Sequence, residues 1–201
     1  MIALIDYGAG NVRSVFKALE AVGARVHLAT EPDRVGSASK VVLPGVGAFA
    51  DCMAALRRQG LTEAILGAVR EGKPFLGICV GMQVLFEMGE EMGQHPGLGI
   101  LRGRVTRFTH THLKVPHTGW NQLLPSLDHP LFQGLSLSPW AYFNHAYYCQ
   151  AQSDDVLAVT DYGGYFASAV ACENVYGIQF HPEKSQSIGL RILQNFVEDV
   201  S

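Results

Sequence analysis

Residues 75–83 read FLGICVGMQ: the apolar run Phe75-Leu76-Gly77-Ile78, then Cys79 between Gly77 and Gly81, where a helical pattern begins. A short apolar run closed by a glycine turn and followed by helical periodicity reads as strand, tight turn, helix. With Gly-x-Cys-x-Gly at the junction, this order has the form of a nucleophile elbow, with cysteine in the place where serine hydrolases carry serine. Gly77 and Gly81 lack a Cβ, so the chain can reverse sharply while the side chain of residue 79 stands clear of the sheet. A cysteine is more commonly a buried, inert thiol. The assignment therefore turns on whether a partner base exists elsewhere in the chain.

The segments around the elbow give it a frame. MIALID at 1–6 reads as a buried strand, followed by the Gly8-Ala9-Gly10 turn and a helix with Val12, Val15, Phe16, Leu19 and Val22 on its apolar face. Asn11 stands where an N-cap belongs, and Gly23 where a helix stops. Strands ARVHLAT, KVVLPG and KPFLGI alternate with helical segments expected near 50–58, 61–70 and 82–91. Repeated β-α units predict an α/β fold, a parallel sheet with helices on both faces. From about residue 98 the rhythm changes to the strand-like runs GILRGRVTRF, AYFNHAYYCQ, DVLAVTDY, FASAVAC and VYGIQF, expected as antiparallel additions to the same sheet. A closing amphipathic helix uses Ile188, Ile192, Leu193, Phe196 and Val197. No repeat or linker divides the chain, so residues 1–201 are expected to form one domain.

Composition narrows the function classes. With 48% hydrophobic residues, 16% charged residues and a formal net charge of -3, the chain can bury a sizeable core and carries no Lys/Arg run suited to nucleic acid or an anionic membrane. The N-terminus lacks a basic region and meets Asp6 early, and no apolar run reaches the length of a membrane span, so a cytoplasmic location is expected. The cysteines at 52, 79, 149 and 172 include no C-x-x-C pair, which suggests neither a zinc site nor a disulfide framework.

The partner base lies in QFHPEKS, residues 179–185. In an extended segment residues i and i+2 share a side, so His181 and Glu183 can converge, and Pro182 is expected to hold the pair extended. Cys79, His181 and Glu183 then fill the roles of nucleophile, base and orienting carboxylate. An isolated His-x-Glu is more often a surface pair. Beside the elbow that balance reverses. An oxyanion hole needs bare backbone donors, which Val80 and the loop Pro44-Gly45-Val46-Gly47-Ala48-Phe49 can supply, with Val46 and Gly47 as candidates. No Lys or Ser/Thr follows that loop in P-loop spacing, and the dinucleotide fingerprint suggested by DYGAGN fails at Arg13.

The elbow GICVGMQ, the loop PGVGAF and the segment QFHPEKS together resemble the class I glutamine amidotransferases, in that family's order and along the whole chain. DYGAGN, KVPHTGWN at 114–121 and HPEKS are similar to the branch formed by glutaminase subunits of imidazole glycerol phosphate synthases. The resemblance implies a flavodoxin-like mixed sheet, a γ-glutamyl thioester on Cys79, and glutamine held by Gln83, Glu91 and the segment His145, Ala146, Tyr147. It further implies no cofactor and no metal. The expected partner is a (β/α)₈ cyclase subunit, forming a heterodimer that makes imidazole glycerol phosphate and aminoimidazole carboxamide ribotide in histidine biosynthesis. Asn11, Trp120, Tyr142 and Lys184 match positions expected to face it. The chain departs from the family pattern at Asn144 and Ala146, where an apolar residue and a hydroxyl residue are usual. His117 and Trp120 read equally as interface residues or as core aromatics. Other readings that fit the triad are the glutaminase of pyridoxal phosphate synthase, a γ-glutamyl peptidase and a catalytically silent scaffold.

Overall fold

Alternating apolar runs and amphipathic segments build the N-terminal half of the computed structural model, which describes residues 1–109 and 113–200. Its elements are β1 (Ile2–Ile5), α1 (Val12–Ala21), β2 (Val26–Ala29), α2 (Pro32–Gly36), β3 (Lys40–Gly45), α3 (Phe49–Arg58), α4 (Leu61–Arg70) and β4 (Phe75–Cys79). The one-turn helix α5 (Val80–Gln83) follows, then β5 (Phe86–Gly89), β6 (His95–Pro96), β7 (Leu101–Arg107), β8 (His117–Gln122) and β9 (Leu124–Pro125). The C-terminal part holds β10 (Trp140–His145), β11 (Tyr147–Ala151), β12 (Val156–Asp161), β13 (Tyr165–Cys172), β14 (Val175–Ile178) and α6 (Gln186–Glu198). Among the described residues no helix is long and apolar enough to cross a membrane.

The large mixed sheet runs in the order β2-β1-β3-β4-β14-β13-β11-β7-β5-β6, with β12 paired to β13 and carrying β9. Its first five strands are mutually parallel, the flavodoxin-like arrangement. From β1 the chain steps outward to β2, then returns past β1 to β3 and on to β4. Right-handed crossovers in opposite directions place α1 on one face and α2, α3 and α4 on the other. Packing agrees: α1 lies against α6, while α2 and α3 lie against α4. Fully buried strands such as Ile2–Ile5 and Phe75–Cys79 need the apolar character on both sides that their sequences have. Lys40 ties the far end of α6 to the sheet, its Nζ donating to the carbonyls of Phe196 and Val197 at 2.9 Å each, and to that of Val200.

Three expectations are corrected. The helix expected over 82–91 ends at Gln83, and Phe86–Gly89 is a strand parallel to β7. Val84, Leu85 and Phe86 are all fully buried, which leaves a helix no solvent face, and their carbonyls accept from Leu98, Gly99, Ile100 and Leu101 instead of from the next turn. The single strand expected over 141–150 is broken at Ala146, whose carbonyl accepts from Phe108 N at 3.0 Å. On one side β10 pairs with β8 in a separate two-stranded ribbon, and on the other β11 pairs with β7 and β13 in the main sheet. The C-terminal strands are thus not all additions to one sheet, nor all antiparallel: β14 pairs parallel with β4, and β7 with β5.

Candidate active site

Topology, not local sequence, brings the chemistry together. Strands β4 and β14 are neighbours and parallel, with Ile78 level with Ile178. Cys79 and Gln179 therefore leave the sheet side by side at its C-terminal edge, where open α/β sheets bind ligands, and His181 follows two residues on. Cys79 sits at φ 56 and ψ -114, so the strain of the turn falls on the cysteine itself. The glycines serve close approach instead of unusual dihedrals. A Cβ on Gly81 would lie 1.9 Å from the Leu43 carbonyl oxygen, and one on Gly77 would lie 2.5 Å from the Gly81 oxygen.

His181 and Glu183 meet through Nδ1 and Oε1 at 3.0 Å. The extended geometry expected for them is not what joins them, because Pro182–Lys184 form a turn of 3-10 helix that folds Glu183 back under the ring. Pro182 begins that turn, a position where its missing N–H costs nothing. Asn11 Nδ2 also donates to Glu183 Oε1, at 3.1 Å. Asn11 occupies the N-cap position of α1 without capping it by its side chain; the amide steadies the carboxylate instead. Ser185 Oγ donates to the His181 carbonyl at 2.6 Å and accepts from Tyr142 N at 2.9 Å, fastening the backbone behind the ring.

Burial alone would lower the His181 pKa, but hydrogen bonds to Cys79 and Glu183 outweigh it and raise the value from 6.5 to about 10. Burial of Glu183 acts upward and is likewise outweighed, by the His181 contact and then by Asn11, so its pKa lies below the ordinary 4.5. Because the folded His181 value is raised, the stabilisation it brings is complete below 6.5 and lost as pH climbs through about 10. The ring holds its proton through the neutral range. We expect kcat/KM of the reaction at this site, which reports the free protein, to show no inflection between pH ~6 and ~9. Glu183→Gln, which removes one raising contact, is expected to bring an inflection back toward the ordinary histidine value. A wild-type inflection near pH ~6.5 contradicts this assignment.

A cavity of about 220 Å³ opens over Cys79 and His181, smaller than the roughly 300–1,000 Å³ of drug-sized sites and suited to a small polar molecule. Val46, Gly47 and Val80 border it, as do Gln83, Glu91, His145, Ala146 and Tyr147. Their side chains differ in what they can offer. Glu91 Oε2 accepts from Phe49 N at 2.8 Å, supplying the first N–H of α3 with a partner and leaving Oε1 for a cation. The N–H groups of Gln83 are both engaged, on Tyr147 O and Gln179 Oε1 at 3.0 Å each, so Gln83 braces the wall instead of donating into the cavity. His145 is also turned into the protein, with Nδ1 2.8 Å from Tyr147 O and Nε2 3.0 Å from His117 Nδ1. Asn144 Oδ1 accepts from Thr118 Oγ1 across the β8–β10 ribbon at 3.1 Å. The Val46 carbonyl accepts from Cys52 Sγ at 3.5 Å, which fixes that peptide on the side away from Gly47 N–H.

The structure separates the four candidate interface residues. Trp120 and Tyr142 are a cross-strand pair with ring centroids 6.1 Å apart, and Lys184 Nζ lies 5.6 Å from the Tyr142 ring centre. Trp120 is 44% exposed and His117 only 3%, which settles their two readings in opposite ways: a surface aromatic and a core imidazole. Asn11 is engaged with Glu183. Gln179 went unnoticed in the sequence beyond its place in the motif, yet its Nε2 lies 3.7 Å from Cys79 Sγ.

The family described as "Glutamine amidotransferase class-I" matches residues 3–200. The chain is 51% identical to an "Imidazole glycerol phosphate synthase subunit HisH" of Salinibacter ruber, over 98% of this chain and 93% of that protein. It is also 51% identical to one of the same description from Syntrophotalea carbinolica, over 98% of each. A solved structure described as "Crystal structure of glutamine amidotransferase" superposes with a TM-score of 0.77 at 21% identity, over 98% of each chain. "Structure of PurLQS from Thermotoga maritima" superposes with a TM-score of 0.79 at 19% identity, over 100% of this chain and 98% of that one. At such identities these two speak for the fold alone.

Proposed function

The chain belongs to the class I glutamine amidotransferases, and from that premise we propose how its residues perform the reaction. Its function is that of the glutaminase subunit of imidazole glycerol phosphate synthase, which releases ammonia from glutamine for histidine biosynthesis. Relatives described as subunits imply a partner subunit. We take that partner to be the (β/α)₈ cyclase in a heterodimer, with residues 1–201 acting as one amidotransferase unit. The reading rests above all on Cys79 and His181 reaching one cavity from adjacent parallel strands, with Glu183 covered behind the His181 ring.

With the thiol proton held on His181, Cys79 Sγ attacks the side-chain amide carbon of glutamine. The oxygen that gains charge is held by backbone N–H groups of Val80 and the Val46-Gly47 loop. His181 gives its proton to the departing ammonia, leaving a γ-glutamyl thioester, and then takes one from the water that hydrolyses it to glutamate. Glu183, held by Asn11, keeps the ring aligned and balances its charge. Glu91 Oε1 receives the substrate ammonium. The exposed Trp120 and Lys184, with the half-buried Tyr142 between them, belong to the face that meets the cyclase.

The test is to purify the chain with its candidate cyclase and compare product formation from glutamine with that from ammonium salts. Glutamine-dependent synthesis of imidazole glycerol phosphate supports the reading. Glutamine hydrolysis with no coupling to that cyclase overturns the partner assignment.

A further inference from the structure

Two runs of hydrogen bonds, one from the β8–β10 ribbon and one ending at the sulfur of Cys79, meet at the Tyr147 carbonyl, and the sense of each can be read. At the outer end Asn121 Oδ1 accepts from Gln122 N at 2.8 Å, so its Nδ2 is the donor that reaches Asp161 O at 2.9 Å and His117 Nε2 at 3.2 Å. His117 must then carry its proton on Nδ1, which donates to His145 Nε2 at 3.0 Å. His145 in turn must donate from Nδ1 to Tyr147 O, a carbonyl that can only accept. From the other side Gln83 Nε2 donates to the same carbonyl and to Gln179 Oε1, which forces the Gln179 Nε2 group toward Cys79 Sγ.

Burial protects this order. Gln179, Gln83, His117 and His145 are all at least 94% buried. Desolvation holds His117 at about 4 and His145 at about 3, so both rings are neutral and each has one donor and one acceptor. His117 is clamped between the Tyr162 and Phe143 rings, at centroid distances of 4.0 and 4.8 Å, which prevents it from turning to exchange its nitrogens.

We propose that Gln179 acts directly on the reacting sulfur as an N–H donor, that Gln83 is the positioning residue that fixes the direction of that donation, and that His145, backed by His117 and Asn121, holds the Tyr147 carbonyl on which Gln83 rests. The inference rests on Cys79 being the nucleophile. Charge returns to the sulfur when the thioester breaks: water oxygen bonds to the acyl carbon, its proton passes to His181, and the C–S pair goes to Sγ. A donor aimed at Sγ favours that departure.

The test is Gln179→Met, which keeps the length of the side chain and removes the donor, assayed in the complex with the partner subunit. Loss of one hydrogen bond to a charged acceptor should lower kcat by about 10–100-fold. Because thioester breakdown is the slowed step, KM should fall with kcat, and acid quenching should trap a γ-glutamyl adduct on Cys79 that the wild type does not accumulate. Unchanged kcat, or a fall in kcat/KM as large as that in kcat with no trapped adduct, overturns the proposal. Independently of any variant, ring ¹⁵N shifts of the wild type should show His117 and His145 as neutral Nδ1–H tautomers at pH ~7; an Nε2–H tautomer at either overturns the support assigned to the Tyr147 carbonyl. Full glutamine turnover by Cys79→Ala would instead remove the nucleophile reading itself.

Discussion

Cys79→Ala should lower glutamine-dependent turnover by about 10⁴–10⁶-fold while leaving ammonia-dependent synthesis by the complex near the wild-type rate. The asymmetry follows from the chemistry. Without Sγ there is no thioester, and the backbone donors and His181 have no covalent intermediate to act on, whereas free ammonia enters at the later step. Truncating a group that is 97% buried to alanine leaves only a small void, so the fold should survive. Measuring both activities on one preparation separates loss of chemistry from loss of structure. Ammonia-dependent synthesis falling together with the glutamine rate would mean that the variant had lost its assembly, and retained glutamine turnover would exclude Cys79 as nucleophile.

Gly81→Ala should remove the fold at the elbow. Its Cβ would stand 1.9 Å from the Leu43 oxygen and 2.9 Å from the Leu43 carbonyl carbon, both backbone atoms of β3 in the middle of the sheet. Neither can retreat without separating β3 from α5. We expect a loss of about 3–5 kcal/mol, a fall in Tm of roughly 6–20 °C, and no glutaminase activity. Gly47→Ala is the control. Nothing lies within 4 Å of its Cβ, and only its φ of +95 opposes the change, so it should remain folded, with a cost of about 1–2 kcal/mol. Thermal melts of both variants decide this. Equal Tm values for Gly81→Ala and the wild type contradict the packed elbow.

Local pattern carried much of this site, because the proposed triad lies in two short motifs whose chemistry is read within a few residues. Strands β3, β4 and β14 were legible for a similar reason, as their apolar runs mark burial on both sides. What stayed hidden depends on long-range pairing. The run Val84-Leu85-Phe86 fits a helical pattern equally well, and only the carbonyl partners at 98–101 decide against it. The alternation over 141–150 continues smoothly through Ala146, although β8 claims one half and β7 the other. Gln179 gains its role from lying level with Cys79 across two strands 100 residues apart. His117 and His145 look catalytic as residue types, yet they face each other in the core, where burial keeps them neutral. The turn at Pro182 reads as extended in the sequence because a proline excludes helix before it, yet it permits a helical turn after it.

The most direct measurement is covalent trapping. The complex is treated with a chloroketone analogue of glutamine, with and without excess glutamine, and its peptides are mapped by mass spectrometry. The account predicts a single adduct on Cys79, suppressed by glutamine, with Cys52, Cys149 and Cys172 unmodified; Cys52 and Cys149 are buried thiols that do not line the cavity, and Cys172 lies outside it. An adduct on any of those three that glutamine suppresses, or no adduct on Cys79 in the assembled complex, contradicts it.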